Sequence, residues 1–456
     1  MSAELVRLAL PIVIVQVGLM AMGVVDSIMV GRISAAALAG VALGNVYFYA
    51  CAVFGLGTLL ALDPIVAQAV GARDHAAITR AVQRGLILSA VLAVPISLLL
   101  MLVRPALVLL GQPADVIPIA SGYVWREIPG VLPFLAFTVL RQTLQALGRM
   151  RAIVVAILLA NLLNVALNWA LIYGHWGAPA LGALGSAWST TISRFAMTAG
   201  LGTLAWRGLR PHLAPLHPET LAPAPLTRML ALGAPIGAQM QLEFGVFGAI
   251  GLLMGRMGTV PVAAHQIALN LASLTFMVPL GVSAAGAVLV GRAVGRGAAD
   301  DARRATRAAL GWGVGFMAIT AVLFILFPAP LARVYSDEAA VITLAASLLP
   351  IAGVFQMFDG IQVVSIGALR GLGDTRAPFA MNLVGFWVIG LPVSLLLGFR
   401  TQLGPRGLWW GLVVGLGAVA LGLLIRLRAR LRLAVVRVRI DDPEGVMAID
   451  TSPGPA

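Results

Sequence analysis

Charge is scarce in this chain, and lysine is absent from it. Charged residues make up 11% of the 456 and hydrophobic ones 60%, for a mean hydropathy of +0.97. A soluble domain carries ~25% charged residues, so a water-soluble globule is excluded and a polytopic membrane protein is indicated. There is one cysteine, Cys51, inside an apolar stretch; it excludes an intramolecular disulfide and reads as packing. No HExxH, Walker loop or GxSxG elbow occurs. The glycine run Gly311-Trp-Gly313-Val-Gly315 loosely matches a dinucleotide fingerprint, but it sits within an apolar segment with no strand before it. Nothing supports an enzyme, and no cofactor is expected. The first apolar run continues from Arg7 past Asp26 with no small-residue cleavage site, so it is expected to be a span and not a removed leader.

What is present is arginine. All 31 basic residues are Arg, for a net charge of +13. A balance so basic would suit nucleic acid, yet the arginines fall between apolar segments, where they orient spans; no nucleic-acid partner is expected. Apolar stretches of helix length predict an all-α polytopic membrane protein with twelve transmembrane helices. They lie near 8–30, 45–70, 86–110, 118–146, 153–173 and 184–206, then near 232–255, 262–291, 306–328, 341–367, 379–399 and 407–427. Alternate loops are arginine-rich, for example Arg73, Arg80 and Arg84, or Arg292, Arg296, Arg303, Arg304 and Arg307. The rich set is expected to be cytoplasmic, which puts both termini inside.

The two halves resemble each other. Val30–Arg32 answers Met254–Arg256, Ala69–Asp74 answers Ala293–Ala298, and Leu181–Trp188 answers Leu403–Trp410, at a nearly constant offset. Two pseudo-symmetric six-helix lobes follow, 1–207 and 228–428, joined by a polar, Pro-rich cytoplasmic linker at 208–227. A repeat of this kind marks transporters, with a site between or within the halves. The remaining 429–456 reads as a cytoplasmic tail, basic up to Arg439 and resting on anionic headgroups, then disordered after Asp441.

Four acids, Asp26, Asp63, Glu243 and Asp359, sit deep in the spans. One charged side chain at such depth costs roughly 2.5–3.5 kcal/mol on insertion scales, and intramembrane acids mark ion pathways and proton relays. Each could instead be a neutral, hydrogen-bonded structural group. Helical spacing gives them neighbours. Gln239 and Glu243 share a face, as do Phe355, Asp359 and Gln362. Asn161, Asn164 and Asn168 form a polar stripe, and Gln266, Asn270 and Ser273 another. Methionines at 20, 22, 29, 240, 254, 257 and 277 would suit a cavity for varied apolar ligands, Met240 among them, or would simply fill packing gaps. Pro11 and Pro235 hold equivalent places in the two halves and permit a helix bend.

These residues carry a family resemblance. VVDSIMVGR around Asp26, the Glu243 stretch with MGTVPVAAHQIALN and FMVPLGVSAA, FDGIQVV around Asp359, ALRGLGDTRAPF (Ala368–Phe379) and FWVIGLPVSLLLG resemble the multidrug and toxic compound extrusion (MATE) family, in its NorM-like branch. The match runs over roughly residues 5–428. The resemblance implies a monomer in a bacterial inner membrane that exports cationic or amphipathic drugs by antiport against Na⁺ or H⁺. It implies that Glu243 and Asp359 couple the cation in the C-lobe and Asp26, with Asn164 and Asn168, in the N-lobe. It makes Pro11 the first-helix proline whose bending accompanies protonation, leaves Na⁺ possible at Glu243, Asp359 or Asp26, and puts Gln239, Met240, Gln266, Asn270, Phe355 and Gln362 along the substrate cavity. Two positions depart from relatives that carry a tyrosine and a carboxylate there: this chain has Phe355 and Asn168. Asp63, in LDPIVAQAVGA, looks more like the second helix of eukaryotic relatives and is expected among the coupling acids. A flippase for lipid-linked precursors, from the same superfamily, is the alternative; its basic cavity disagrees with acids this deep.

Overall fold

The computed structural model describes residues 1–442, which form helices and turns without a strand. In the first half the spans are α1 (Ser2–Gly31), α2 (Ala35–Gly71), α3 (His75–Met101), α4 (116–146), α5 (Met150–Tyr173) and α6 (Ala183–Leu204). In the second they are α7 (Pro223–Met257), α8 (Thr259–Gly295), α9 (Ala299–Leu326), α10 (Ala339–Gly371), α11 (Arg376–Phe399) and α12 (Pro405–Arg432). Ten are long and apolar enough to cross a membrane by length and composition. The remaining two, α4 and α6, are less uniform. In α4 the chain tightens over Ile128–Gly130, where Pro129 can offer no N–H to the preceding turn. Large apolar side chains such as Leu252, Leu162 and Ile319 stand exposed along these helices, as lipid-facing surface requires.

Packing divides the chain into two units. One holds Met1–Val13, Asp63–Arg73 and the chain from Ala238 onward; the other holds Ile14–Leu62 and Asp74–Gly237. In the first unit the ends of α2 and α8 cross at two glycines. Gly71 lies against the carbonyl oxygen of Arg292, and Gly295 against that of Gln68; a Cβ on either would come closer than 3.0 Å to backbone. The sequence offset that relates Val30 to Met254 also relates Gln68 to Arg292 and Gly71 to Gly295. The contact is therefore reciprocal, as at a twofold axis. The repeat shows again at the starts of α6 and α12. Gly182 and Gly404 enter them with φ of +59° and +52°, and Gly185 and Gly407 press against the carbonyls of Leu171 and Leu397.

α1 and α7 run unbroken through Pro11 and Pro235. α11 is less regular: Leu383–Gly390 winds as a π-helix. Pro392 follows in the next turn and has no N–H to return, which loosens the ladder there.

The connector between the halves is docked along α3. It forms short helices at Trp206–Leu213 and Pro218–Leu221. Gln83 donates to the Pro215 carbonyl at 2.8 Å, and its amide oxygen accepts from the His217 N–H at 3.2 Å. Burial holds the His212 imidazole below the usual histidine value, with the charges of His75 and Arg149 acting in the same direction; its Nδ1 lies 3.0 Å from the Thr79 hydroxyl. After α12 the basic tail turns inward instead of resting wholly on headgroups. Val438 and Ile440 are buried, and the Val438 N–H donates to the Gln68 amide oxygen at 2.7 Å. Apolar side chains alternate with Arg437 and Arg439 there, so an extended chain shows one apolar edge. The disorder expected after Asp441 falls largely on residues 443–456, outside the described residues.

Candidate functional site

In the unit built on the second half, Glu243 projects from the middle of α7. Its Oε1 accepts a hydrogen bond from the Gln362 amide of α10 and a longer one, 3.3 Å, from Gln239 one turn earlier on α7. The Gln362 amide also donates to the Asn382 side-chain oxygen at 3.0 Å, and Asn382 in turn donates to the Pro378 carbonyl at 2.9 Å. Asn382 is the last residue before the π-helical stretch of α11. The irregular turn thus anchors a chain of amides that ends on a carboxylate. The Trp387 indole, within that stretch, donates to the Leu242 carbonyl at 3.1 Å and ties α11 to α7.

Asp359 sits half-buried three residues before Gln362 on α10. Among the described residues it has no hydrogen-bond or ion-pair partner, and its nearest charged influence is Glu243. The two acids thus act on one another electrostatically, and every hydrogen bond to Glu243 comes from a neutral amide. Such a pair can hold a proton, or it can hold a cation between oxygens. Phe355, one turn before Asp359, is buried edge-on against Phe247 and Trp409, with centroids 6.0 and 5.9 Å away. Met240 is half-buried beside Gln239. Gln266 and Asn270 are exposed on α8 and make no hydrogen bond to Glu243 or Asp359, so this second stripe is not brought to the acids.

The other unit holds Asp26, buried on α1. Asn168 of α5 donates to Oδ1 at 2.6 Å, and the Thr190 hydroxyl of α6 donates to Oδ2 at 2.6 Å. The Asn168 amide also donates to the Asn164 side-chain oxygen at 3.1 Å, which leaves Asn164 Nδ2 and Asn168 Oδ1 buried without a partner. Carboxylate, amide and hydroxyl oxygens therefore converge from three helices. Among the described residues no three His, Cys, Asp or Glu side chains cluster as a metal site; a cation held here would draw on these neutral oxygens.

Asp63 is elsewhere. It lies at the end of α2, 3.1 Å from Arg370 of α10, and both belong to the unit built on the second half. Arginine already balances its charge, which separates it from Glu243, Asp359 and Asp26. Pro11, half-buried on α1, lies four turns before Asp26.

Around Asp26, sequence reading overlooks three residues. Thr190 is one. The others are Glu127 of α4 and Arg194 of α6, a fully buried ion pair with Nη2 to Oε1 at 3.4 Å. Their signal is present in the sequence: Arg126, Glu127, Arg141 and Arg194 are charged residues inside apolar segments, as unusual there as the four acids.

The MatE family model matches residues 11–170 and 235–396. A multidrug resistance protein, MdtK, of Edwardsiella ictaluri is 34% identical over 436 residues, covering 93% of this chain and 95% of its own. A multidrug resistance protein, NorM, of Burkholderia vietnamiensis is 37% identical over 439 residues, covering 92% of each. Among solved structures, the eukaryotic MATE transporter AtDTX14 superposes with a TM-score of 0.87 at 22% identity, over 96% of this chain and 98% of that one. The Vibrio cholerae MATE transporter VcmN in its bent form gives 0.83 at 21% identity, over 94% and 97%. At such identities these two structures speak for the fold.

Proposed function

Because this chain belongs to the MatE family, we propose that it is a secondary active multidrug efflux antiporter, exporting cationic or amphipathic compounds in exchange for Na⁺ or H⁺. Its relatives are named as multidrug resistance proteins, and its helices are those of an integral membrane transporter. The observation that carries the coupling scheme is Glu243 held by neutral amides, with Asp359 on the facing helix making no hydrogen bond or ion pair among the described residues. Entry of the driving cation neutralises this pair, and Asp26 in its amide and hydroxyl cage forms the second such site. Neutralisation removes the penalty on a conformer that buries the acids, so occupancy biases the equilibrium between outward and inward access. Drug binding restores the charged state and resets the cycle.

The same reading takes the chain as a monomer in a bacterial inner membrane with both termini cytoplasmic, built as lobes 1–207 and 228–428. Drug efflux from vesicles under separately imposed Na⁺ and H⁺ gradients tests it. Wild-type protein should respond to at least one gradient, and Glu243→Gln combined with Asp359→Asn should abolish that response. Undiminished gradient-driven efflux in the double variant would reject the scheme.

A further inference from the structure

Arg194 of the Arg194–Glu127 pair stands one helical turn from Thr190, the α6 donor to Asp26, and the geometry of the pair is loose. Among the described residues neither Glu127 oxygen makes a hydrogen bond, and Arg194 Nη1 has no partner, although all are buried. The guanidinium is kept in place by its 3.4 Å approach to Glu127 and by the rings of Phe48 and Phe134, 4.3 and 4.9 Å away. On the same helix, four residues earlier, Thr190 donates to Asp26. Four residues are ~6 Å of rise, within the reach of an arginine side chain. Long side chains on a helix lean back toward its N-terminus, and for Arg194 that direction is toward Thr190 and Asp26. The arginine's charge acts on both carboxyl groups. The titratable groups around it are Asp26 from α1, Tyr49 from α2, and Tyr123 and Glu127 from α4.

An arginine so placed is a hazard to a site that must exchange cations, because a guanidinium settled on Asp26 would occupy it for good. We propose that Glu127 is a positioning residue whose task is to hold Arg194 off Asp26, keeping the Asp26 carboxyl open to the driving cation. This rests on the antiporter reading. Glu127, not Asp26, is the standing partner of Arg194, and the two phenyl rings keep the guanidinium turned to it. Glu127 itself exchanges nothing.

The test uses full-length protein in proteoliposomes, with ethidium efflux and carbodiimide labelling of Asp26 as separate readouts. Carbodiimide modifies a protonated carboxyl and spares one paired with arginine, so labelling does not depend on transport. Glu127→Gln should lower efflux about tenfold or more and suppress Asp26 labelling, by freeing Arg194 to pair there. Glu127→Asp should restore most of both. Glu127→Gln with Arg194→Gln should recover efflux and labelling together, which a purely structural pair would not do. If Glu127→Gln does not fold, Arg194→Gln alone decides: Asp26 labelling at or above the wild-type level supports the proposal, and loss of labelling overturns it. A double variant no better than Glu127→Gln, or a Glu127→Gln protein that labels like wild type, overturns it as well. Asp26→Asn separates the two ideas: full efflux in that variant would sink the role given to Asp26 in antiport, while Asp26 labelling in the Glu127 and Arg194 variants that retain Asp26 would still report whether Glu127 governs Arg194.

Discussion

The crossing of α2 and α8 gives the sharpest test of how this transporter moves. Replace Gly71 with alanine and the new methyl meets the Arg292 carbonyl; replace Gly295 and it meets that of Gln68. Both obstacles are backbone, which cannot rotate away as a side chain can, so the helices must separate. Overpacking of this kind costs about 1–3 kcal/mol in a well-packed interior. If every cycle passes through the crossed state, that cost removes it from the population by roughly 5- to 150-fold, and efflux falls by a similar factor. The two substitutions press on one contact from opposite sides. A single separation of the helices relieves both, so the double variant should lose much less than the product of the single losses. The assay is ethidium efflux from proteoliposomes at matched protein content, with thermal melting as a folding control. Wild-type efflux in both single variants, with melting unchanged, would refute the reasoning. Fully multiplicative losses would refute the reciprocity.

Other outcomes follow from single contacts. Thr190→Val removes a donor to Asp26 worth about 1.5–3 kcal/mol, the range for hydrogen bonds to charged groups, and should shift the cation concentration for half-maximal efflux by roughly 10- to 150-fold; Thr190→Ser should nearly restore it. Asp63→Asn should lower the melting temperature, because it strands Arg370, and Asp63→Asn with Arg370→Gln should cost less than the two single losses together, as measured by a thermal-melt cycle. His212 should make the docking of the connector pH-sensitive. Its folded value lies below the ordinary 6.5, so the folded chain binds fewer protons than the unfolded one. The contribution is complete above 6.5 and is lost as pH falls through the folded value. Limited proteolysis of 206–221 between about pH 8 and about pH 5 should show increasing cleavage, and His212→Gln should flatten the dependence.

The spans were legible because a bilayer imposes one long apolar run on each, and ten helices pass that criterion outright. α4 was harder. Pro129 and the adjoining Arg126 and Glu127 make its middle look like a boundary, yet Glu127 is fully buried inside the unit. Gln239 with Glu243, and Asn164 with Asn168, are neighbours because spacing along one helix already placed each pair on a shared face; Gln362 and Asp26 join their respective pairs from other helices. What periodicity does not supply is which partner helix meets each face. Gln266 and Asn270 make a stripe as regular as Asn164 and Asn168, but they stay exposed, and nothing in the spacing distinguishes the two. Asp63 looked like the other deep acids; its arginine, Arg370, is more than three hundred residues away in sequence and visible only in three dimensions. Asn382 went unnoticed because its importance comes from the π-helical turn it precedes, which depends on Pro392 and on packing.

One amide has a practical bearing. Gln68 gives its nitrogen to the Gly371 carbonyl at 2.9 Å and its oxygen to the Val438 backbone, so the end of α2, the end of α10 and the trailing segment are fastened by a single side chain. A purification tag or fluorescent reporter spliced directly after Arg432 would detach the trailing segment from Gln68. Protein used to measure drug export should keep the native chain at least through Ile440 and carry any label beyond it.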